Sequence, residues 1–124
     1  MRALVLFEGK SNYLKPHRLG WLLDRDFQHC AAVVQYRPEA PWFHVDTVDH
    51  RPHIRLIAMA EENPKQFYRD LGFCVLETRP RKPMVRLPFA YANCVGLTKA
   101  VLGIGRPWIV TPRQLYNYLR RHPR

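Results

Sequence analysis

The chain has 124 residues, with 20 Lys+Arg against 10 Asp+Glu, a formal net charge of +10 and a pI near 10.1. With 47% hydrophobic and 24% charged residues the composition is globular, which excludes wholesale disorder, and the length predicts one domain spanning 1–124. No apolar run approaches the ~20 residues of a membrane-spanning helix, so no membrane partner is expected.

Residues 2–7 predict a short buried strand. The run stops at Glu8, too short for a signal peptide, so export by one is not expected. Residues 8–28 are rich in loop formers. Residues 29–36 predict a strand centred on Val33 and Val34. Arg37-Pro38-Glu39-Ala40-Pro41 is turn chemistry, and Trp42–Val48 predicts the antiparallel partner. Asp49-His50-Arg51-Pro52 predicts a second turn, and 54–60 a third strand of the meander.

Asn63-Pro64 predicts a helix start, with Phe67 and Leu71 sharing a face and Gly72 ending the helix. A strand follows at 73–77. Residues 79–90 form a basic, proline-rich connection inside the domain. Asn93-Cys94 opens a helix that runs to Leu102 and stops at Gly103. Thr111-Pro112-Arg113-Gln114 is a capping box that opens the last helix, with Leu115, Tyr118 and Leu119 on its apolar face. Strands first and helices last indicate α+β, an antiparallel sheet meander with C-terminal helices packed on it.

The charge is segregated. Residues 1–78 hold 10 Lys/Arg and all 10 acids, whereas 79–124 hold 10 Lys/Arg and no acid. That asymmetry points to an anionic partner, and Arg79, Arg81, Lys82, Arg86 and Lys99 are the candidate anion-binding residues. Trp108, Tyr116 and Tyr118 beside the C-terminal arginines suit base stacking, though at helical spacing they also suit core and rim.

The three cysteines, Cys30, Cys74 and Cys94, make neither a disulfide framework nor a zinc knuckle. They predict a reduced, cytosolic protein. Cys94 sits in the first turn of its helix. The amide groups and dipole there favour a thiolate, and no acid follows it in the chain. It is the candidate nucleophile.

His29, at a strand start, is the candidate base. If the turn centres near Pro38 and Glu39, His29 faces the Asp46–Asp49 region. One register favours Asp49 as the orienting acceptor and a tighter one Asp46. His44 lies on the Asp46 face. With His50 and His53 nearby a metal site is conceivable, but the spacing matches no strong zinc or iron signature and Arg51 is a poor neighbour for a cation. Neither a metal nor a cofactor is expected. His17 and His122 read as surface residues.

Phe27-Gln28-His29-Cys30, Trp42-Phe43-His44-Val45-Asp46 and the late Asn93-Cys94 pair together resemble the circularly permuted papain-like hydrolases, the clan that includes lecithin–retinol acyltransferase-like enzymes. The resemblance implies a permuted papain-like fold. It implies Cys94 as nucleophile, His29 as base and Asp46 as the orienting residue, with Asp49 and His44 as alternatives for the third position. The stretch from Asn93 to Ile104, followed by Trp108-Ile109-Val110-Thr111-Pro112-Arg113-Gln114-Leu115-Tyr116, resembles a family of small uncharacterised bacteriophage and prophage proteins. That implies a place in the infected bacterial cytoplasm or the virion.

The expected activity is that of a phage-type cysteine hydrolase or acyltransferase, a peptidase or amidase, acting on a peptide or amide substrate. The alternative is a non-catalytic virion or nucleic-acid-binding protein that uses the basic C-terminal third to hold nucleic acid, another anionic partner or other virion proteins.

Overall fold

A computed structural model describes residues 1–8, 29–48, 51–57, 64–81 and 93–122. Its elements are β1 (Arg2–Glu8), β2 (His29–Gln35), β3 (Trp42–Val48), β4 (Arg51–Ile57), α1 (Lys65–Asp70), β5 (Cys74–Thr78), α2 (Cys94–Leu102) and α3 (Pro112–Arg121). The strands form one five-stranded sheet in the order β4-β3-β2-β1-β5. Every neighbouring pair is antiparallel, so the architecture is α+β.

The sheet is covered on both faces, which is why residues 3–7 are buried without alternation. Successive residues point to opposite faces. Ala3, Val5, Phe7, Cys30, Ala32 and Val34 pack beneath α2 and α3 with Leu97, Leu102, Leu115 and Leu119. Leu4, Leu6, Ala31 and Val33 pack on the other side with Trp42, Val75 and Tyr68 of α1.

The caps of the two C-terminal helices follow their sequence signals. The Asn93 side chain accepts from the Gly96 amide at 2.7 Å, and Gly103 closes α2 with φ 72°, a left-handed conformation that favours glycine. Thr111 and Gln114 form both halves of the capping box on α3.

Two elements differ from expectation. β4 starts at Arg51, where a turn is predicted. Among the described residues it is an edge strand, so Pro52, which pairs with Thr47, has no outer neighbour there that needs its missing N–H. In α1 the buried residue is Tyr68, while Phe67 is 42% and Leu71 53% exposed. That helix is only 6 residues long, too short for an i,i+4 stripe to fix its docking face. All of the predicted 8–28 loop except Glu8, which ends β1, lies outside the described residues, His17 with it, as do Asp49, His50, Asn63, Lys82 and Arg86.

Candidate active site

The β2–β3 ladder runs from Gln35↔Trp42 to Ala32↔Val45. Continued, it sets His29 across from Val48, with Asp46 its diagonal neighbour on the same face, within reach of long side chains. His29 Nε2 lies 2.6 Å from Asp46 Oδ1. The contact is part-buried, with side-chain exposures of 13% and 18%. Asp46 Oδ1 also accepts the Thr47 amide at 2.6 Å, which fixes the carboxylate against its own strand.

Cys94 is the first residue of α2, and α2 packs on the sheet face opposite to that of His29. Each is the first residue of its element, and the two side chains are close enough at the end of β2 to interact. Cys94 helps to raise the pKa of His29, and His29 helps to lower that of Cys94.

The electrostatics follow from these contacts. Burial alone would lower the pKa of His29. Its hydrogen bonds to Asp46 and Cys94, and the negative charge on both, outweigh burial and raise it to about 10. The Cys94 thiol is held well below the usual thiol range, first by a hydrogen bond from Cys30, then, against the opposing effect of burial, by His29. Burial would raise Asp46, but His29 and His44 hold it well below the ordinary carboxylate range. These shifts all run in the direction that favours a thiolate at Cys94, an imidazolium at His29 and a carboxylate at Asp46.

His44 is not beside His29. Its Nε2 is 3.7 Å from Asp46 Oδ2, too long for a hydrogen bond, and its Nδ1 is 2.9 Å from Tyr68 Oη. It stands behind Asp46, held by Tyr68 of α1, so of these two expected third members it is Asp46 that meets His29. No group of three or more His, Cys, Asp or Glu among the described residues is arranged to hold a metal ion.

Four contributors carry no sequence signal of their own. Tyr68 anchors His44. Glu8 pairs with His29 in the β1–β2 register, and burial raises its carboxyl pKa; the expected strand ended one residue short of it. Cys30 and Thr98 flank Cys94 from β2 and α2, their side chains 3.7 Å apart. Alternation after His29 is the one clue that Cys30 faces α2.

Of the expected anion-binding set, Arg79, Arg81 and Lys99 lie among the described residues. Arg79 and Arg81 are exposed. Lys99 donates to the carbonyls of Arg106 and Ile109, each at 2.8 Å. It ties α2 to the following loop. Elsewhere Arg106 lies over the rings of Trp108 and Tyr118, and Arg113 and Arg120 lie over Tyr116.

Scanned against protein-family models, curated proteins and solved structures, the chain gives no match. No helix among the described residues is long and apolar enough to cross a membrane.

Proposed function

We propose that the protein is a cysteine hydrolase or acyltransferase of the permuted papain-like kind, acting on an amide or ester carbonyl. The observation that carries this reading is the continuous run Cys94–His29–Asp46, assembled from a helix start and two neighbouring strands. The Cys94 thiolate attacks the carbonyl carbon. The first-turn amides of α2, that of Cys94 included, are the donors a helix start leaves over for the oxyanion. The His29 imidazolium gives its proton to the leaving group, and Asp46 keeps the ring aligned. Water, deprotonated by the now neutral His29, then releases the acyl group. A phage-type peptidase or amidase fits this chemistry.

The test is acyl transfer from p-nitrophenyl acetate. The protein should give a stoichiometric burst and an acetyl group on Cys94. The Cys94→Ala variant should give no burst, and His29→Ala should acylate slowly if at all. A burst that survives in Cys94→Ala would overturn the reading.

The arginines laid over aromatic rings between Arg106 and Arg121 favour a second reading, a nucleic-acid-binding or virion protein. Affinity for single-stranded DNA should then fall steeply with salt and drop in an Arg106→Ala/Arg120→Ala variant. No binding at low salt would remove it.

A further inference from the structure

Cys30 makes no covalent bond in the acyl transfer, yet it belongs to the cluster on which the candidate nucleophile packs. It is 1% exposed, in the core beneath α2. Its Sγ is 3.7 Å from Thr98 Oγ1. Thr98 lies one helical turn after Cys94 on the same stripe, and Cys94 packs on the core cluster that contains Cys30. Each thiol shifts the other's pKa, Cys30 lowering that of Cys94 and Cys94 raising that of Cys30. Cys94 is the half-exposed member and Cys30 the buried one, while Cys74 is exposed on β5. An accessible thiolate with a second thiol against its inner side is the arrangement of a redox pair, in which the outer sulfur meets the oxidant and the inner one resolves it.

We propose that Cys94 and Cys30 form a peroxide-responsive thiol pair, Cys94 being oxidised and Cys30 capturing it as an intramolecular disulfide. The inference rests on Cys94 being a thiolate, as in the functional reading above. In the first step the Cys94 sulfur attacks one oxygen of hydrogen peroxide. The S–O bond forms, the O–O bond breaks, and the departing hydroxide leaves as water with the His29 proton. The sulfur is oxidised by two electrons and the peroxide reduced by two. In the second step the Cys30 sulfur attacks the sulfenic sulfur, and the Cys30 proton leaves with the departing hydroxide as water. The S–S bond forms and the S–H and S–O bonds break. Two thiols and one peroxide become a disulfide and two waters. The disulfide removes the nucleophile reversibly and protects it from irreversible sulfinic acid.

The test treats the reduced full-length protein with equimolar hydrogen peroxide, blocks free thiols with N-ethylmaleimide under denaturing conditions, and maps peptides without reduction. The Cys30 and Cys94 peptides should be cross-linked, Cys74 should carry maleimide, and dithiothreitol should restore all Cys94 reactivity. In Cys30→Ala, with Cys30→Ser as a second variant, Cys94 should proceed to sulfinic acid that dithiothreitol does not recover. Wild-type protein in which Cys94 is overoxidised while Cys30 still takes maleimide would overturn the pairing. So would a Cys94 that peroxide leaves untouched. A parallel iodoacetamide reaction separates the two claims. Fast alkylation of Cys94 relative to Cys74 with no cross-link sinks the pairing alone, and slow alkylation sinks the thiolate and the pairing together.

Discussion

Replacing Asp46 by asparagine isolates the brace of the site. The amide oxygen can still accept the Thr47 amide, now 2.6 Å from Oδ1, so the strand is undisturbed. What goes is the charge behind the 2.6 Å contact with His29 Nε2. A charge-assisted, part-buried hydrogen bond contributes roughly 2–3 kcal/mol. At about 1.4 kcal/mol per pKa unit, its loss lowers the His29 pKa by ~1.5–2 units. The wild-type imidazole, at about 10, should therefore titrate near ~8 in Asp46→Asn. Cys94 continues to hold the remainder of the shift. The assay is the pH dependence of the His29 ring signals in a ¹H–¹⁵N correlation spectrum, assigned with His29→Gln. A wild-type His29 that titrates near 6.5, or a variant within a few tenths of a unit of wild type, would refute the reasoning.

Tyr68→Phe removes the 2.9 Å partner of buried His44 Nδ1 and should cost about 1–3 kcal/mol of stability by urea unfolding, with a smaller change at Cys94. Asn93→Ala deletes the cap of α2, should cost ~1 kcal/mol, and should slow Cys94 alkylation. Thr111→Ala deletes the α3 cap at similar cost but should leave Cys94 unaffected. The folded-state pKa of Asp46 is depressed, so its stabilisation is complete above its unfolded pKa, about 4, and is lost as pH falls toward its folded value. Urea titrations from pH 6 down to 2 should show that loss, and Asp46→Asn should flatten it.

Local chemistry was readable where the interaction is local. Trp42–Val48 has the expected bounds because alternation and the preceding turn both mark it, and the caps at Asn93 and Thr111 act within one helical turn. The choice between Asp46 and Asp49 was not readable, since a small register slip exchanges them; the register sets Asp46 diagonal to His29. Pro52 reads as a turn residue until β4 is known to be an edge. Glu8, Cys30 and Tyr68 reach the site through pairings between distant parts of the chain, which no local periodicity encodes.

The central claim is that Cys94 is a thiolate paired with imidazolium at neutral pH. Its most direct measurement is the pH profile of iodoacetamide alkylation, resolved by peptide mapping into Cys94 and Cys74. The account predicts that Cys94 reaches its plateau rate well below the pH at which exposed Cys74 begins to react, and that His29→Ala moves the Cys94 profile upward. A Cys94 profile that coincides with that of Cys74 in the wild-type protein would contradict it.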